Sequence, residues 1–242
     1  VKIIDRSELD SDATLKLLAE LRSEGYNAAI ANTTVSGMLV DTLKSSGYRV
    51  TTLIHEMPAI IRELGLEKTC EAIVKYSDNV VFPNRHVMEK FKLFAIPSLE
   101  QTIIKAQGLY KENKYRKLND QDQSAATELR SKLGLPLDAQ IILCVGYADK
   151  RKGIDLFLEA GGHLLTKKKG LTKPNIWFVW VGELSSFATY VIEKYKSSEF
   201  ADQFIFSGPD FDTDMYYAGA DVYALTSRED PFPSTVLESL DA

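Results

Sequence analysis

Two acidic residues near the C-terminal end of the chain stand on either side of a proline-rich turn. Asp230 and Glu238 are separated by seven residues, and the apolar stretch 221–225 before them predicts a β-strand. Pro231 and Pro233 fix their own φ angles and disfavour a helix before them. The pattern therefore predicts a strand, a turn and then a helix that has one acid before its start and Glu238 in its first turn.

The start of that predicted helix has the features of an anion site. We expect Ser234 or Thr235 to cap the first turn. The unpaired backbone amides of a first turn, together with the positive end of the helix dipole, attract phosphate. A nucleotide-sugar requires amides for its diphosphate and acids near its ribose and its sugar, and Asp230 and Glu238 would supply those acids. The alternative is a capping box, in which Glu238 bonds back to the start of its own helix at Thr235.

A second polar cluster follows the predicted strand at residues 140–145. Gly146 opens a glycine turn, and three consecutive cations, Lys150, Arg151 and Lys152, precede the next predicted helix. Ligands of open α/β sheets bind at the carboxyl ends of the strands, which is where this turn falls. Lysine neutralises phosphate as a point charge and arginine grips it with two donors. An ordinary solvated cationic turn is the alternative.

A third candidate is His55, which with Glu56 follows the predicted strand at residues 48–54. A neutral imidazole can hydrogen-bond a sugar hydroxyl. A histidine whose nitrogens are satisfied by nearby backbone is an equally open interpretation. No spacing of histidine, cysteine or carboxylate residues predicts a zinc or calcium site.

The elements that must position these residues alternate between strand and helix along the chain, which is typical of parallel βα units with an α/β fold. A polar stretch at residues 108–124 interrupts the alternation, so we predict two Rossmann-like domains, 1–108 and 109–242, that face a cleft. The predicted strands are 1–4, 26–31, 48–54, 79–82, 102–105, 140–145, 175–181, 203–206 and 221–225. The predicted helices are 10–22, 35–45, 59–76, 85–93, 125–133, 152–167 with an interruption at Gly161 and Gly162, 187–196, 214–217 and one that starts at Ser234.

The composition is that of an ordinary globular protein. The 242 residues are 45% hydrophobic and 26% charged, and the formal net charge of −5 argues against a nucleic-acid partner. Cys70 and Cys144 lie in apolar stretches, so we expect buried free thiols in a reducing compartment. The sequence has neither an apolar run of about 18 residues nor a signal peptide, and we therefore expect a cytoplasmic protein.

The C-terminal acidic motif resembles the donor-site signature of family 4 retaining glycosyltransferases, Glu-x-Phe-Gly-x-x-x-x-Glu. Asp230 stands for the first Glu, and Phe232 and Glu238 match the Phe and the second Glu. Pro233 replaces the Gly and has no N–H to offer phosphate. The resemblance therefore implies that the amides of the next two residues, Ser234 and Thr235, bind the phosphate instead.

The glycine turn resembles the element Gly-Arg-x-x-x-x-Lys-Gly of the same family, which holds the donor diphosphate. Lys152 and Gly153 match its last two residues, and Tyr147 stands at the position of the Arg. We expect the neighbouring Arg151 to restore the missing charge. The segment around His55 is similar to the segment of the family's N-terminal domain whose histidine reaches the donor sugar.

This resemblance implies a GT-B fold and a hexosyltransferase that acts with retention. The donor would be a nucleoside-diphosphate sugar, and the acceptor a glycan or a lipid-linked molecule. No metal or other cofactor is implied, and a lipid-linked acceptor is compatible with peripheral contact at the inner face of the membrane. The implied donor-binding residues are Lys152, Arg151, Gly146, Ser234, Thr235 and Glu238, and the implied catalytic residues are Asp230 and His55.

The chain is shorter than the family at both ends, so we expect both domains to be incomplete. Two other functions stay open. One is a nucleotide-sugar epimerase of the same two-domain plan, which would need further acids and a pair of histidines in the cleft. The other is a catalytically inactive α/β fragment or interaction module, which the short ends and Tyr147 favour.

Overall fold

The structure of the protein is a computed structural model that describes residues 12–116, 122–168 and 175–242. The chain divides into two compact units, Val1–Gln107 and Gly108–Ala242, each with its own hydrophobic core and its own four-stranded parallel sheet. The strand predicted at residues 1–4 lies outside the described residues, as does part of the polar stretch around the predicted domain boundary.

The first unit contains a sheet in the order β1-β2-β3-β4, with neighbouring strands parallel. In the two central strands Val50, Val80 and Phe82 are fully buried. The strands are β1 (Ala28–Asn32), β2 (Arg49–Leu53), β3 (Asn79–Phe82) and β4 (Thr102–Ile104). The helices are α1 (Asp12–Ser23), a 3₁₀ helix (Thr34–Leu39) that leads into α2 (Val40–Ser45), α3 (Pro58–Glu63), α4 (Glu67–Tyr76) and α5 (Arg85–Phe91).

The single helix predicted over residues 59–76 is wrong, because the segment forms the two helices α3 and α4. Gly65 adopts a φ of 64°, in the left-handed region that glycine tolerates best. The Gly65 amide donates to the carbonyl of Arg62, and the Leu66 amide donates to that of Ile61. This pair of bonds is a Schellman motif, which ends α3.

The second unit contains a parallel sheet in the order β7-β6-β5-β8. Its strands are β5 (Gln140–Val145), β6 (Ile176–Val181), β7 (Phe204–Gly208) and β8 (Val222–Tyr223). Its helices are α6 (Asp122–Leu133), α7 (Ile154–Lys168), α8 (Ser186–Tyr195), a 3₁₀ helix (Ala201–Gln203), α9 (Asp214–Gly219) and α10 (Ser234–Leu240).

The interruption predicted within α7 is also wrong, since the helix runs continuously through Gly161 and Gly162. Each glycine instead permits a close contact with an aromatic side chain. A Cβ on Gly161 would lie 2.5 Å from the Phe204 ring, and a Cβ on Gly162 would lie 2.4 Å from the Tyr195 hydroxyl. These glycines therefore serve packing against β7 and α8 rather than a bend.

The strand order of the second sheet creates a switch point between β5 and β8. The chain leaves β5 for β6 and β7 on one side and later returns to β8 on the other side of β5. In open α/β sheets, ligands bind in the crevice at the carboxyl ends of the strands at such a point. The segments that leave β5 and β8 here are 146–153 and 224–233, which contain four of the eight predicted site residues.

Both cysteines are buried and form no disulfide, as predicted. Burial raises the pKa of the Cys70 thiol to about 12 and that of the Cys144 thiol to about 11. Within the described ranges, no helix has the length and apolar character needed to cross a membrane.

Candidate active site

The turn after β5 is held in shape by Asp149. Its carboxylate accepts a hydrogen bond from the Lys152 amide at 2.6 Å, and its carbonyl accepts one from the Gly153 amide at 3.1 Å. At the other end of the turn, the carbonyl of Gly146 accepts a hydrogen bond from the Trp180 indole at 2.9 Å. The turn is therefore anchored at both ends, which fixes the direction in which the Lys152 side chain leaves it.

Two glycines allow neighbouring backbones to approach this turn. Gly153 has a φ of 75°, and a Cβ on it would lie 2.1 Å from the carbonyl oxygen of Thr226. A Cβ on Gly182, which follows β6, would lie 2.1 Å from the carbonyl oxygen of Gly146. Any larger residue at either position would push the segments apart.

Hydrogen bonds join the segment after β5 to the segment after β8. The Arg228 amide donates to the Arg151 carbonyl at 2.8 Å, and the Thr226 hydroxyl donates to the Lys152 carbonyl at 3.0 Å. The Arg151 guanidinium donates to the carbonyl of Glu229 at 3.1 Å. The two segments therefore form one structural unit at the switch point.

Arg228 adds an ion pair to this junction. Its guanidinium donates to both carboxylate oxygens of Asp155, at the start of α7, over 2.7 and 2.8 Å. It also donates to the Lys150 carbonyl at 2.8 Å. The hydrogen bond from Arg228 holds the pKa of Asp155 below its usual value. Such a two-pronged contact restricts both partners to one geometry.

Lys152 and Asp230 meet at the centre of the junction. The Lys152 ammonium lies 2.5 Å from a carboxylate oxygen of Asp230, and the two side chains are only 15% and 11% exposed. A Cβ on Gly146 would make only an ordinary contact of 3.5 Å with the Lys152 side chain, and it is the φ of 145° that favours glycine there. The structure thus brings together three residues that the sequence predicts for the site.

The predicted capping of α10 is wrong. The N-cap is Pro233, which makes no side-chain capping bond, and Ser234 and Thr235 are the first two residues of the helix. Because Pro233 already has the extended ψ of an N-cap, the helix starts directly after it. The capping box is absent for the same reason, and Glu238 lies beyond the first turn, which contains no acid. The amides of Ser234 and Thr235 remain the leading donors of the helix.

Glu238 and Arg151 each have partners within the second unit. The carboxylate of Glu238 accepts a hydrogen bond from the Tyr217 hydroxyl at 2.8 Å. The Arg151 guanidinium lies 4.0 Å from Asp149 in addition to its bond to the β8 segment. Tyr147, at the position of the family's arginine, is 50% exposed. The positive charge of Arg151 therefore stays at the junction, although the sequence does not place it at the matching position.

His55 lies in the first unit, where both of its ring nitrogens have side-chain partners. Nε2 lies 2.9 Å from Oδ1 of Asn32, and Nδ1 lies 2.6 Å from the amide nitrogen of Gln107. The interpretation in which backbone satisfies this histidine is therefore wrong. His55 and Gln107 help to line a cavity of about 200 Å³ at the carboxyl ends of β2, β3 and β4. Glu56 is occupied by the amide and hydroxyl of Thr34.

Several residues of the junction escape prediction from sequence. Asp149 has a usable signal, because an Asp in a turn commonly accepts a hydrogen bond from a backbone amide a few residues further along the chain. Thr226 and Arg228 lie in the β8 segment without any local pattern that indicates their partners. Tyr217 has no signal at all, since its partner belongs to another helix.

Comparison with known proteins finds similarity to glycosyltransferases. Residues 125–242 match the sequence model of the family Glycosyl transferases group 1. Alpha-galactosylglucosyldiacylglycerol synthase of Streptococcus pneumoniae is 33% identical over 123 residues, which are 48% of this chain and 30% of the synthase. The chain therefore spans less than one third of that relative.

Solved structures match almost the whole chain. HepE of Anabaena, in complex with UDP and glucose, has a TM-score of 0.76 at 16% identity and covers 96% of this chain. The UDP-forming alpha,alpha-trehalose-phosphate synthase of Burkholderia xenovorans, in complex with glucose-6-phosphate, has a TM-score of 0.68 at 12% identity and covers 99%. This chain spans 62% of each of them. These likenesses concern the fold alone, and they confirm the predicted α/β class with two parallel sheets.

Proposed function

We propose that the protein transfers a hexose from a nucleoside-diphosphate sugar with retention, because residues 125–242 match the family Glycosyl transferases group 1. The observation that carries the proposal is the contact between Lys152 and Asp230 at the switch point of the second sheet. It places a cation and an acid where an α/β sheet binds its ligand.

The diphosphate would lie at the junction of the two turns. As the bond between the anomeric carbon and the diphosphate breaks, negative charge grows on the leaving group. Lys152 and Arg151 would stabilise that charge, with the amides of Ser234 and Thr235. Gly146, with a φ of 145° that favours glycine, would shape the turn that carries the lysine. The proposal contains no resident metal ion, because these cations and amides would themselves stabilise the charge on the leaving diphosphate.

The carboxylate of Asp230 and the imidazole of His55 would orient the sugar. In the structure Asp230 neutralises Lys152. With donor bound, the ammonium would turn to the diphosphate, and the carboxylate would accept a hydrogen bond from the sugar. His55 would exchange one of its two amide partners for a sugar hydroxyl. Glu238 would bind the ribose hydroxyls.

We propose UDP as the nucleotide of the donor, since the similar structure of HepE was solved with UDP and glucose. The acceptor is proposed to be a glycan or a lipid-linked molecule. A lipid-linked acceptor is supported by the synthase of Streptococcus pneumoniae, whose name describes a glycosylated diacylglycerol. Such an acceptor would bring the protein to a membrane surface.

Titration calorimetry with UDP, GDP and dTDP tests the donor site. We expect UDP to bind with the highest affinity. Binding of none of the three at millimolar concentration would contradict the proposal and favour an inactive α/β module.

The release of UDP from UDP-hexose tests the roles of the charged residues. Lys152→Ala and Glu238→Ala should each slow this reaction by roughly 10²-fold, because each removes a group that binds the donor. The matched control is Lys150→Ala, which removes an exposed neighbouring cation and should leave the rate within about twofold. The assignment is wrong if Lys152→Ala and Glu238→Ala behave like this control.

A further inference from the structure

We propose that Tyr217 is a positioning residue, which fixes the carboxylate of Glu238 and thereby makes the site select ribose over deoxyribose. The inference rests on the proposed function, in which Glu238 binds the ribose hydroxyls. It deepens that function because it names the residue that holds the acid and the feature of the nucleotide that the acid detects.

The contact joins two helices of the second unit. Tyr217 lies on α9 and is 6% exposed, and its hydroxyl donates to Oε2 of Glu238 on α10 over 2.8 Å. The Tyr217 ring packs against the ring of Tyr223, with 5.8 Å between their centroids. A buried, packed ring cannot follow a moving carboxylate, so the carboxylate is held where the hydroxyl points.

The Tyr217 hydroxyl keeps its proton near neutral pH and can therefore donate a hydrogen bond. Burial raises the pKa of Tyr217 far above its usual value, and the adjacent Glu238 raises it further. An ionised carboxylate has about four acceptor positions on its two oxygens. Tyr217 occupies one of these on Oε2 and leaves Oε1 for hydroxyl groups of a ligand.

A fixed acceptor discriminates between sugars better than a mobile one. A ribose donates from both its 2′- and 3′-hydroxyls, whereas a 2′-deoxyribose leaves one acceptor position without a donor. A carboxylate that is free to rotate can turn its unpaired oxygen to water and avoid much of that penalty. Loss of the Tyr217 hydroxyl should therefore weaken ribose binding and narrow the difference between the two sugars.

Tyr223 supplies a matched control within the same cluster. It is also a largely buried tyrosine, but its hydroxyl makes no hydrogen bond to Glu238. Tyr223→Phe removes a tyrosine hydroxyl and keeps the ring that packs against Tyr217. Because no hydrogen bond to Glu238 is lost, this change should leave the selectivity for ribose as it is.

The experiment is calorimetric titration of the wild-type protein, Tyr217→Phe and Tyr223→Phe with UDP and with 2′-deoxy-UDP. We expect the wild-type protein to prefer UDP by about tenfold or more. Tyr217→Phe should weaken UDP binding by about three- to tenfold and reduce the preference to about threefold or less, while Tyr223→Phe should keep both values within about twofold of wild type.

The outcomes separate this inference from the proposed function. Wild-type preference retained in Tyr217→Phe overturns the role of Tyr217 alone. Absence of UDP binding, or equal affinity for the two nucleotides in the wild-type protein, overturns the proposed role of Glu238 and this inference with it. If Tyr217→Phe does not fold, 3-fluorotyrosine at position 217 keeps the ring and makes a stronger donor. The preference for UDP should then rise, and an unchanged preference overturns the inference.

Discussion

At the scale of single residues, the central feature of the site is that Lys152 and Asp230 neutralise each other. Both side chains are largely removed from water, where an unpaired charge is costly. In the proposed function, a donor that brings a diphosphate would therefore replace one anionic partner of the lysine with another. Asp230 has two functions in this scheme, as the counter-ion of the ligand-free site and as a ligand of the sugar.

Asp230→Asn separates these two functions. The substitution removes the negative charge that competes with the diphosphate, so we expect UDP affinity to stay equal or rise by a few-fold. It also weakens the acceptor for the sugar, so UDP release from UDP-hexose should fall by about 10²-fold. Calorimetry and a turnover assay measure the two effects.

The adjacent acid provides the control for that prediction. Glu229→Gln changes the net charge of the protein by the same amount and should alter neither measurement by more than about twofold. Parallel losses of affinity and turnover in Asp230→Asn would contradict the proposed competition between carboxylate and diphosphate.

At the scale of elements, the site depends on how closely the β5 segment meets the β8 segment. Backbone hydrogen bonds and the ion pair between Arg228 and Asp155 hold the two together. Gly153 makes the approach possible, because Thr226 occupies the space that a side chain would need. Several weak contacts between the segments thus determine the distance between the two charged groups.

Gly153→Ala should disrupt this junction. The new Cβ would lie 2.1 Å from the Thr226 carbonyl oxygen, in a backbone with a φ of 75°. We expect a loss of about 2 kcal/mol or more in the free energy of unfolding, together with loss of UDP binding. Urea denaturation and calorimetry measure the two.

Gly208→Ala is the matched control for this clash. Gly208 has a φ of 74°, and a Cβ on it would meet nothing within 4 Å. The control therefore carries the backbone penalty alone, about 1–2 kcal/mol, and UDP should still bind. Equal losses of UDP binding in the two variants would show that UDP binding does not depend on the close approach of Thr226 to Gly153.

At the scale of the whole molecule, each of the two units contains aspartates whose ion pairs make its stability depend on pH. The Lys44 ammonium holds the pKa of Asp78 in the first unit below its usual value of 3.8. The Lys132 ammonium does the same for Asp210 in the second unit. A lowered pKa means that the folded state favours the ionised carboxylate, so each ion pair stabilises its unit above about pH 4.

The folded protein should therefore lose stability as the pH falls below about 4 towards those lowered pKa values. Each pair is partly exposed, so we expect less than about 1 kcal/mol from each. Urea midpoints at pH 6 and pH 3 measure the loss, and Asp78→Asn should reduce the difference. A midpoint difference that is the same in Asp78→Asn and wild type would rule out this contribution.

The sequence alone determined the fold class, several of the strands and the family that the protein resembles. Strand β3 at residues 79–82 and strand β5 at residues 140–145 have the predicted bounds, because apolar runs between turn residues encode strands locally. Gly65 is a glycine at which a helix can end, but the predicted helix at residues 59–76 ran through it, and its φ of 64° showed that α3 ends there. The acidic motif around Asp230 and Glu238 indicated the glycosyltransferase family for the same reason, since its residues are close in the chain.

Only the tertiary structure decided the partners of the candidate residues. The contact of Lys152 with Asp230 depends on β8 lying next to β5, and strand order is not written in the periodicity of either strand. Glu238 meets Tyr217 because α10 packs near α9, and side-chain amides hold His55 because β1 and the residues after β4 share an edge of the first sheet with β2. The sequence specified which groups were available, whereas packing between distant segments selected which of them meet.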